Sequence, residues 1–546
     1  MKRGIGGYRA ACVVFLCFFS LGVITPAETA TEETATEETA TEETATEETA
    51  TEETAAVEEA EDADPSGVTG EPLDPYEDFI TGDLTSLGAF DIIPPRNRIG
   101  LIAGYRRIGN DTFLTLNPVV DYRFGEEEEL KLGLGLPLNL YVYDAQLAGE
   151  LGNTGFENRG RLRSQDYSEL GEFLQIIRYL TYGRKEADIY LDVGSRAPTT
   201  IGHGTLVRRL NPNINVDRTQ VGAQFDAYWD WAGFQAHTSN LATWEMAGAL
   251  AFFRPLGLFT SEEIPKSLSF GLTYFHDLVA PSSLQLERGL MQIDRHFNPV
   301  PEETELLASL ALNFEFKFLK TRTSDIKVYA ERSGFTDEQL GSGYFGGLLG
   351  RFNLGNDTVH AFRARTEYRT FDANYVPSYF DTFYEITQYQ FNDPDESQYP
   401  LTKLEVLRAR KNDPRRHGCY LELTYGLRDI ISLGLAYEHA TAAAGSDYRD
   451  SNFIAHIELP LQYRLQVFAT YYRRNPEDLR SLFELGNESL LFSAARFQIL
   501  PIMYLNLSYQ HSFQLEDLFE MEGVRVANRF SSTSSLSGNL EMAFEF

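Results

Sequence analysis

From Leu130 to Val142 every second residue is aliphatic: Leu130, Leu132, Leu134, Leu136, Leu138, Leu140 and Val142, with Lys131, Gly133, Gly135, Pro137, Asn139 and Tyr141 between them. Successive side chains of an extended strand point to opposite faces, so this spacing puts the aliphatics on one side and the small or polar groups on the other. The dyad returns in Leu268-Phe270-Leu272-Tyr274, Leu310-Leu312-Phe314-Phe316-Phe318 and Leu421-Leu423-Tyr425. It returns again in Ile431-Leu433-Leu435-Tyr437, Tyr463-Leu465-Val467-Ala469-Tyr471 and Leu505-Leu507-Tyr509. Such runs come near the ~9–11 residues a tilted strand needs to cross a bilayer, whereas the strands of soluble sandwiches are usually shorter. The expected fold class is therefore all-β, a transmembrane antiparallel barrel with its aliphatic face outward.

Composition removes the competitors. One apolar run approaches membrane length, Ala10–Val23 behind Lys2, Arg3 and Arg9, so a multi-span helical bundle is excluded. A pI near 4.7 argues against nucleic acid as a partner. The N-terminal run, with Thr25-Pro26-Ala27 after it, reads as an export signal over residues 1–27. Residues 28–64 carry the unit Thr-Glu-Glu-Thr-Ala five times, and sixteen acids with no base. Dense like charge with almost nothing large and apolar to bury predicts a disordered acidic leader. Residues 65–96, with Pro65, Pro72, Pro75, Pro94 and Pro95, read as a linker, and 97–546 as the barrel. Two of the three cysteines, Cys12 and Cys17, leave with the signal, so the mature chain keeps only Cys419 and no internal disulfide.

Connection lengths give the strand number. Outer-membrane barrels alternate short turns at one rim with long loops at the other. Short links fall at 125–129, 183–186, 231–233, 319–324, 355–357, 427–429, 460–462 and 499–502, with long polar stretches between them. Threading strands through them gives about twenty, within a range of 16 to 22. The parity requires Leu404–Arg410 to belong to the 373–415 loop rather than to a strand. Two links break the rule: a short one at 241–243 on the long-loop side, and a longer one at 254–266 on the short-turn side.

The last residues, Leu540-Glu-Met542-Ala-Phe544-Glu-Phe546, alternate and end on an aromatic. This strand resembles the terminal signature of Gram-negative outer-membrane β-barrel proteins, porin-like in general architecture from residue 96 onward and assignable to no specific named family. The resemblance implies that Met542, Phe544 and Phe546 form an assembly signal for the barrel assembly machinery. It also implies a bacterial outer-membrane location with the leader in the periplasm. Glu541 stands where that signature often has glycine.

Candidate functional residues follow from the two faces. Trp229 and Trp231 share the outward face of their strand and end at a short turn, which predicts a membrane-interface position. In Ala361–Phe371 the inward positions are Arg363, Arg365, Glu367 and Arg369, a charged row expected to line a pore. The bland counterpart is a salt-bridged lumen that holds a plugged barrel rigid. A barrel of about twenty strands encloses more space than side chains fill, so water or a folded-in loop occupies it. The Tyr- and Phe-rich 373–415 stretch is the natural insert. His237-Thr238-Ser239-Asn240 resembles the His-x-Ser-Asn motif of lipid A 3-O-deacylases, where the His serves as base to the Ser. The plain alternative is two polar lumen residues. Gly202-His203-Gly204 and Arg208-Arg209 fall in a long loop, where a flexible loop histidine is the default reading. No residue spacing calls for a metal or a cofactor.

The functional expectation is a porin-like channel for passive diffusion of small hydrophilic solutes. The alternatives are a lipid-modifying hydrolase using His237 and Ser239, and a structural or adhesive barrel acting through its loops. The expected partners are the lipid bilayer, the assembly machinery and the solutes, and a homo-oligomer is compatible with this reading.

Overall fold

The structure is a computed structural model. It describes residues 97–546 except 126–129, 146–153, 184–187, 195–198, 295, 322, 355–359, 392–398, 428–429, 443–448, 463, 477–479, 517 and 522. The expected signal, leader and linker lie outside the described residues.

Twenty antiparallel strands close on themselves. The first eight are β1 (Arg98–Ile108), β2 (Asp111–Phe124), β3 (Leu130–Gly135 and Leu138–Tyr143), β4 (Ile177–Gly183), β5 (Ile189–Gly194), β6 (Gly222–Tyr228), β7 (Ala232–Thr238) and β8 (Met246–Phe253). There follow β9 (Ser269–Leu284), β10 (Pro301–Lys320), β11 (Ser324–Phe335), β12 (Ser342–Leu354), β13 (His360–Phe371) and β14 (Arg416–Leu427). The set ends with β15 (Ile431–Ala442), β16 (Arg449–Gln462), β17 (Leu465–Arg474), β18 (Ser489–Leu500), β19 (Met503–Glu516) and β20 (Arg529–Glu545). Each strand pairs with the next, and β20 returns to β1 with Ile108 facing Ser535 and Arg98 facing Glu545. Closure pairs the first strand with the last, as a bilayer requires of backbone polar groups.

The dyad is realised face by face. On β9, Phe270, Leu272 and Tyr274 are exposed on the outside, while Ser269, Thr273, Phe275 and Asp277 are buried on the inside. The cleanest run of the sequence is the one that breaks. Leu136 and Pro137 interrupt β3, because proline has no N–H to give the ladder. The register survives the break: Val119 faces Gly135 and Leu116 faces Leu138.

The long connections leave one rim, with the 254–268 link as the exception. The link at 239–245 lies on that side, and the one at 254–268, with a short helix Glu263–Lys266, lies on the short-turn side. The alternation of sides therefore holds, while both links keep the lengths that depart from the rule. Leu404–Arg410 is not a strand but falls mainly in the helix Lys403–Ala409, capped by Thr402 and Glu405.

Two long connections turn back into the lumen. The 195–221 and 372–415 loops meet there in a short parallel pairing at Val207 and Phe380. The Arg208 N–H donates to the Phe380 carbonyl (3.1 Å), the Phe380 N–H to that of Leu206 (3.1 Å), and the Ser378 N–H to that of Thr205 (2.8 Å). Leu206, Val207, Leu210, Tyr379, Phe380, Tyr384 and Leu407 are buried together against Leu250 and Phe275 of the wall. Burial of each such side chain contributes on the order of 1.5–3 kcal/mol, enough to hold the two loops in the lumen. The 195–221 loop also docks on β19, where the Val216 N–H donates to the Phe513 carbonyl (2.9 Å).

Candidate functional site: an arginine cluster in the lumen

The row on β13 points inward, and its members reach different heights. Arg365, Glu367 and Arg369 are buried, and Arg363 is half-buried nearer the short-turn rim. A buried guanidinium demands an acidic partner, since an isolated charge in a low dielectric is costly. Glu367 supplies one for two of them, pairing with Arg365 (2.8 Å) and with Arg369. It also accepts from the Tyr329 hydroxyl of β11. Arg369 pairs further with Glu438 of β15, and Arg363 with Glu422 of β14.

The inserted 195–221 loop brings two more cations to the same level. Arg209 donates to Glu422 (3.0 Å) and to the Tyr420 hydroxyl (3.1 Å). The Arg208 guanidinium lies 4.1 Å from the centre of the Tyr420 ring, with Arg369 at 4.8 Å and Arg365 at 5.5 Å from the same ring. An aromatic face offers such cations an attraction that does not neutralise them. Arg208 donates through Nη2 to the His203 carbonyl (2.8 Å), while its Nη1 is buried with no hydrogen-bond partner among the described residues.

His203 itself is no flexible loop residue. It stacks on Tyr329 at 4.1 Å and 4°, and its ring nitrogens bond Glu315 (3.0 Å) and Glu331 (3.2 Å) of the wall. The default expectation for Gly202-His203-Gly204 is corrected here: the loop enters the barrel and the histidine pins it. Gly204, at φ +72°, makes the bend, and a Cβ there would lie 2.6 Å from the Arg208 Nε.

Arg208 and Arg209 border two cavities. One lies toward the long-loop rim and is lined by Phe383, Tyr420, Glu438, Asn452, Tyr472 and Arg473 among others. The other lies toward the short turns and is lined by Lys327, Tyr329, Arg351, Arg363, Arg365 and Glu422 among others. The arginine pair thus stands between two chambers, and the lower chamber carries a clear excess of positive groups.

The remaining sequence candidates sit elsewhere. His237, on β7, is buried with its ring stacked 6.5 Å from Phe275. Ser239 is buried too, but its hydroxyl donates to the Met246 carbonyl (3.4 Å) rather than to His237. Trp229 and Trp231 are exposed at the β6–β7 turn, where the Trp229 N–H donates to the Ala232 carbonyl (2.8 Å). Met542, Phe544 and Phe546 are exposed on the outer face of the closing seam, and the Phe546 N–H reaches the Asn97 carbonyl (3.0 Å). Just before them Glu541 points inward and pairs with Arg98 (2.5 Å) and Arg496 (3.0 Å), while Arg98 also holds Asp121 (2.6 Å). The acidic residue in place of glycine therefore has a structural role, an ionic clasp across the seam.

Sequence reasoning missed Arg208, Arg209, His203, Tyr420 and Glu422 as one group. The signal was present in Ile201, Leu206, Val207 and Leu210, apolar residues out of place in a solvated loop.

No protein-family model matches the chain, and no curated protein does. Among solved structures, OccK11 (OpdR) of Pseudomonas aeruginosa is 13% identical, with 82% of this chain and 96% of that chain covered and a TM-score of 0.28. OccAB3 of Acinetobacter baumannii is 9% identical over 83% of this chain and 99% of that one, with a TM-score of 0.29. A mutant of the ferric enterobactin receptor PfeA of Pseudomonas aeruginosa, in complex with enterobactin, is 8% identical over 83% and 82%, with a TM-score of 0.34.

Proposed function

We propose that the chain is an outer-membrane channel for small hydrophilic solutes, with its narrowest point at the Arg208–Arg209 pair. One observation carries the reading: the two arginines line both lumen chambers, so a solute moving between the rims passes them. Charge at such a point acts in a dielectric below that of bulk water and biases which ions enter. The excess of arginine and lysine over carboxylate in the lower chamber favours anions.

The test is a planar-bilayer recording across a salt gradient at low ionic strength, where screening is weakest. The parent channel conducts with a reversal potential on the anion side. R208Q and R363Q each move it toward cations. Conductance with an unchanged reversal potential in both variants would place the ion path elsewhere.

A second reading has its own support. Tyr379, Phe380, Tyr384 and Leu407 pack on Val207 and Phe275 as a hydrophobic core rather than as a wet constriction. A barrel so filled is closed at rest, and a parent chain that never conducts would favour this alternative.

A further inference from the structure

One sector of the wall is built too short for a bilayer. Strands β4 to β8 hold 7, 6, 7, 7 and 8 residues, whereas β9 and β10 hold 16 and 20. Seven residues at about 3.3 Å each, tilted by about 40°, reach about 18 Å in height, short of an apolar band about 25 Å tall. The missing height is on the long-loop side. Ile177 at the start of β4 faces Leu134, yet β3 continues beyond it to Tyr143 along β2. On the other flank the Leu278 N–H donates to the Glu245 carbonyl (2.9 Å), and β9 continues beyond it to Leu284.

Loop segments fill the gap and are tied down. The Tyr141 N–H donates to the Arg161 carbonyl and the Arg163 N–H to the Asn139 carbonyl, both at 2.9 Å, which lays Leu162 beside Leu140. A single helical turn, Leu170–Phe173, is closed by a reciprocal cap between Glu169 and Glu172. Its Gly171 sits against the Asn240 side chain, where an added Cβ would be 3.1 Å from Nδ2. The Trp244 N–H donates to the Asn240 carbonyl (3.0 Å).

The polarity of these segments is inverted relative to a solvated loop. Arg163, Glu172 and Asn240 are buried, while Leu162, Leu170, Phe173, Ile176 and Trp244 are exposed, Leu170 at 68% and Trp244 at 56%. An exposed apolar patch of this size calls for a partner. Its neighbours at the same height are the outward-facing Leu134, Leu278 and Val279 of the flanking strands, so the patch continues the lipid-facing surface.

We propose that these five side chains contact lipid acyl chains in the leaflet at the long-loop rim, completing in loop the wall that β4–β8 leave unbuilt. The inference rests on the membrane-barrel reading. Trp244 would then be the interfacial counterpart, at the opposite end of the short sector, of Trp229 and Trp231.

The test uses the full chain folded into phosphatidylcholine vesicles with brominated acyl chains. A W229F/W231F chain, with Trp244 as its only tryptophan, loses most of its fluorescence there relative to unbrominated vesicles, and aqueous iodide leaves it unchanged. A W244F chain, keeping Trp229 and Trp231, reports whether the barrel is inserted at all. Quenching of W244F by bromine, together with quenching of Trp244 by iodide alone, overturns the inference and leaves the membrane barrel standing. No bromine quenching in either chain overturns both. Should the Trp244-only chain fail to fold, the difference in bromine and iodide quenching between the parent chain and W244F gives the same two readouts for Trp244.

Discussion

Glu367 is the residue on which the lumen charges balance. Its carboxylate faces Arg365, Arg369 and the Tyr329 hydroxyl, and all of them are buried. Removing one partner of a buried charge set leaves the others uncompensated, so E367Q lowers barrel stability by about 3–5 kcal/mol in urea unfolding from vesicles. R363Q costs much less, because Glu422 keeps Arg209 at 3.0 Å as well as the Tyr420 hydroxyl. Equal losses in the two variants would mean that the network does not concentrate on Glu367. Glu385, in the inserted 372–415 loop, gives a pH dependence. Its Oε2 accepts from the Ile214 and Asn215 N–H groups (2.9 and 3.1 Å) and so ties one loop to the other. Burial pushes its carboxyl up to about 7, against the pull of Arg218 and of those two amides. A folded-state value above the unfolded one means that this contribution to docking is complete below the ordinary carboxylate range and fades as pH rises through about 7. Amide exchange at Ile214 and Asn215, corrected for the intrinsic rate, should lose protection between about pH 5 and 8 in the parent chain. E385Q should flatten that change; an identical pH profile in E385Q would remove Glu385 from the account.

At the scale of the strand, the period of two decided nearly everything. It fixed which face of β10 meets lipid, so Leu312→Arg, near mid-strand on the outer face, should cost about 2–4 kcal/mol while the same change at the rim costs about 0–1. Equal cost at both heights, measured by unfolding from vesicles, would argue against a bilayer around this strand. The number of strands and the rim of each connection were legible for the same reason, because a strand reports its own face and length locally. Pro137 was legible as a residue but not as a break, since only the ladder to β2 shows which N–H is lacking. The loops were not readable in this way. Nothing local in Arg208-Arg209 says that the pair will meet Glu422, 213 residues later for Arg209, or the Tyr420 ring. Phe380 and Val207 find each other across the lumen, and neither lies in a periodic pattern. Their apolar character hinted at burial, yet burial against what depends on a closed barrel that only the whole chain makes. The inward fate of His203 is decided the same way, by Glu315 and Glu331 on separate strands.

The molecule separates its two tasks, a wall held by backbone ladders and a lumen held by side chains, and each can be altered alone. Deleting residues 28–64 should leave the folded, SDS-resistant barrel intact, because a stretch with sixteen acids and no base buries nothing the wall needs. The 372–415 connection allows a sharper separation. Phe371 of β13 faces Arg416 of β14 in register, so the two strand ends are adjacent where the loop departs. Neighbouring strands lie about 4.8 Å apart, and a two-residue turn spans that distance. Replacing 372–415 by such a turn removes Tyr379, Phe380, Tyr384 and Leu407 from the lumen core and the Phe380 partner of the 195–221 loop, while every hydrogen bond of the β13–β14 ladder remains. The wall should therefore stay closed, and the variant should still shift in mobility when boiled before electrophoresis. The lumen should not stay narrow: with the insert gone the upper and lower chambers merge, and single-channel conductance in a planar bilayer rises well above that of the parent. A variant that folds yet conducts no better would show that the 195–221 loop alone sets the resistance at Arg208 and Arg209. A variant that no longer folds would show that the lumen core, and not the ladder, organises this barrel.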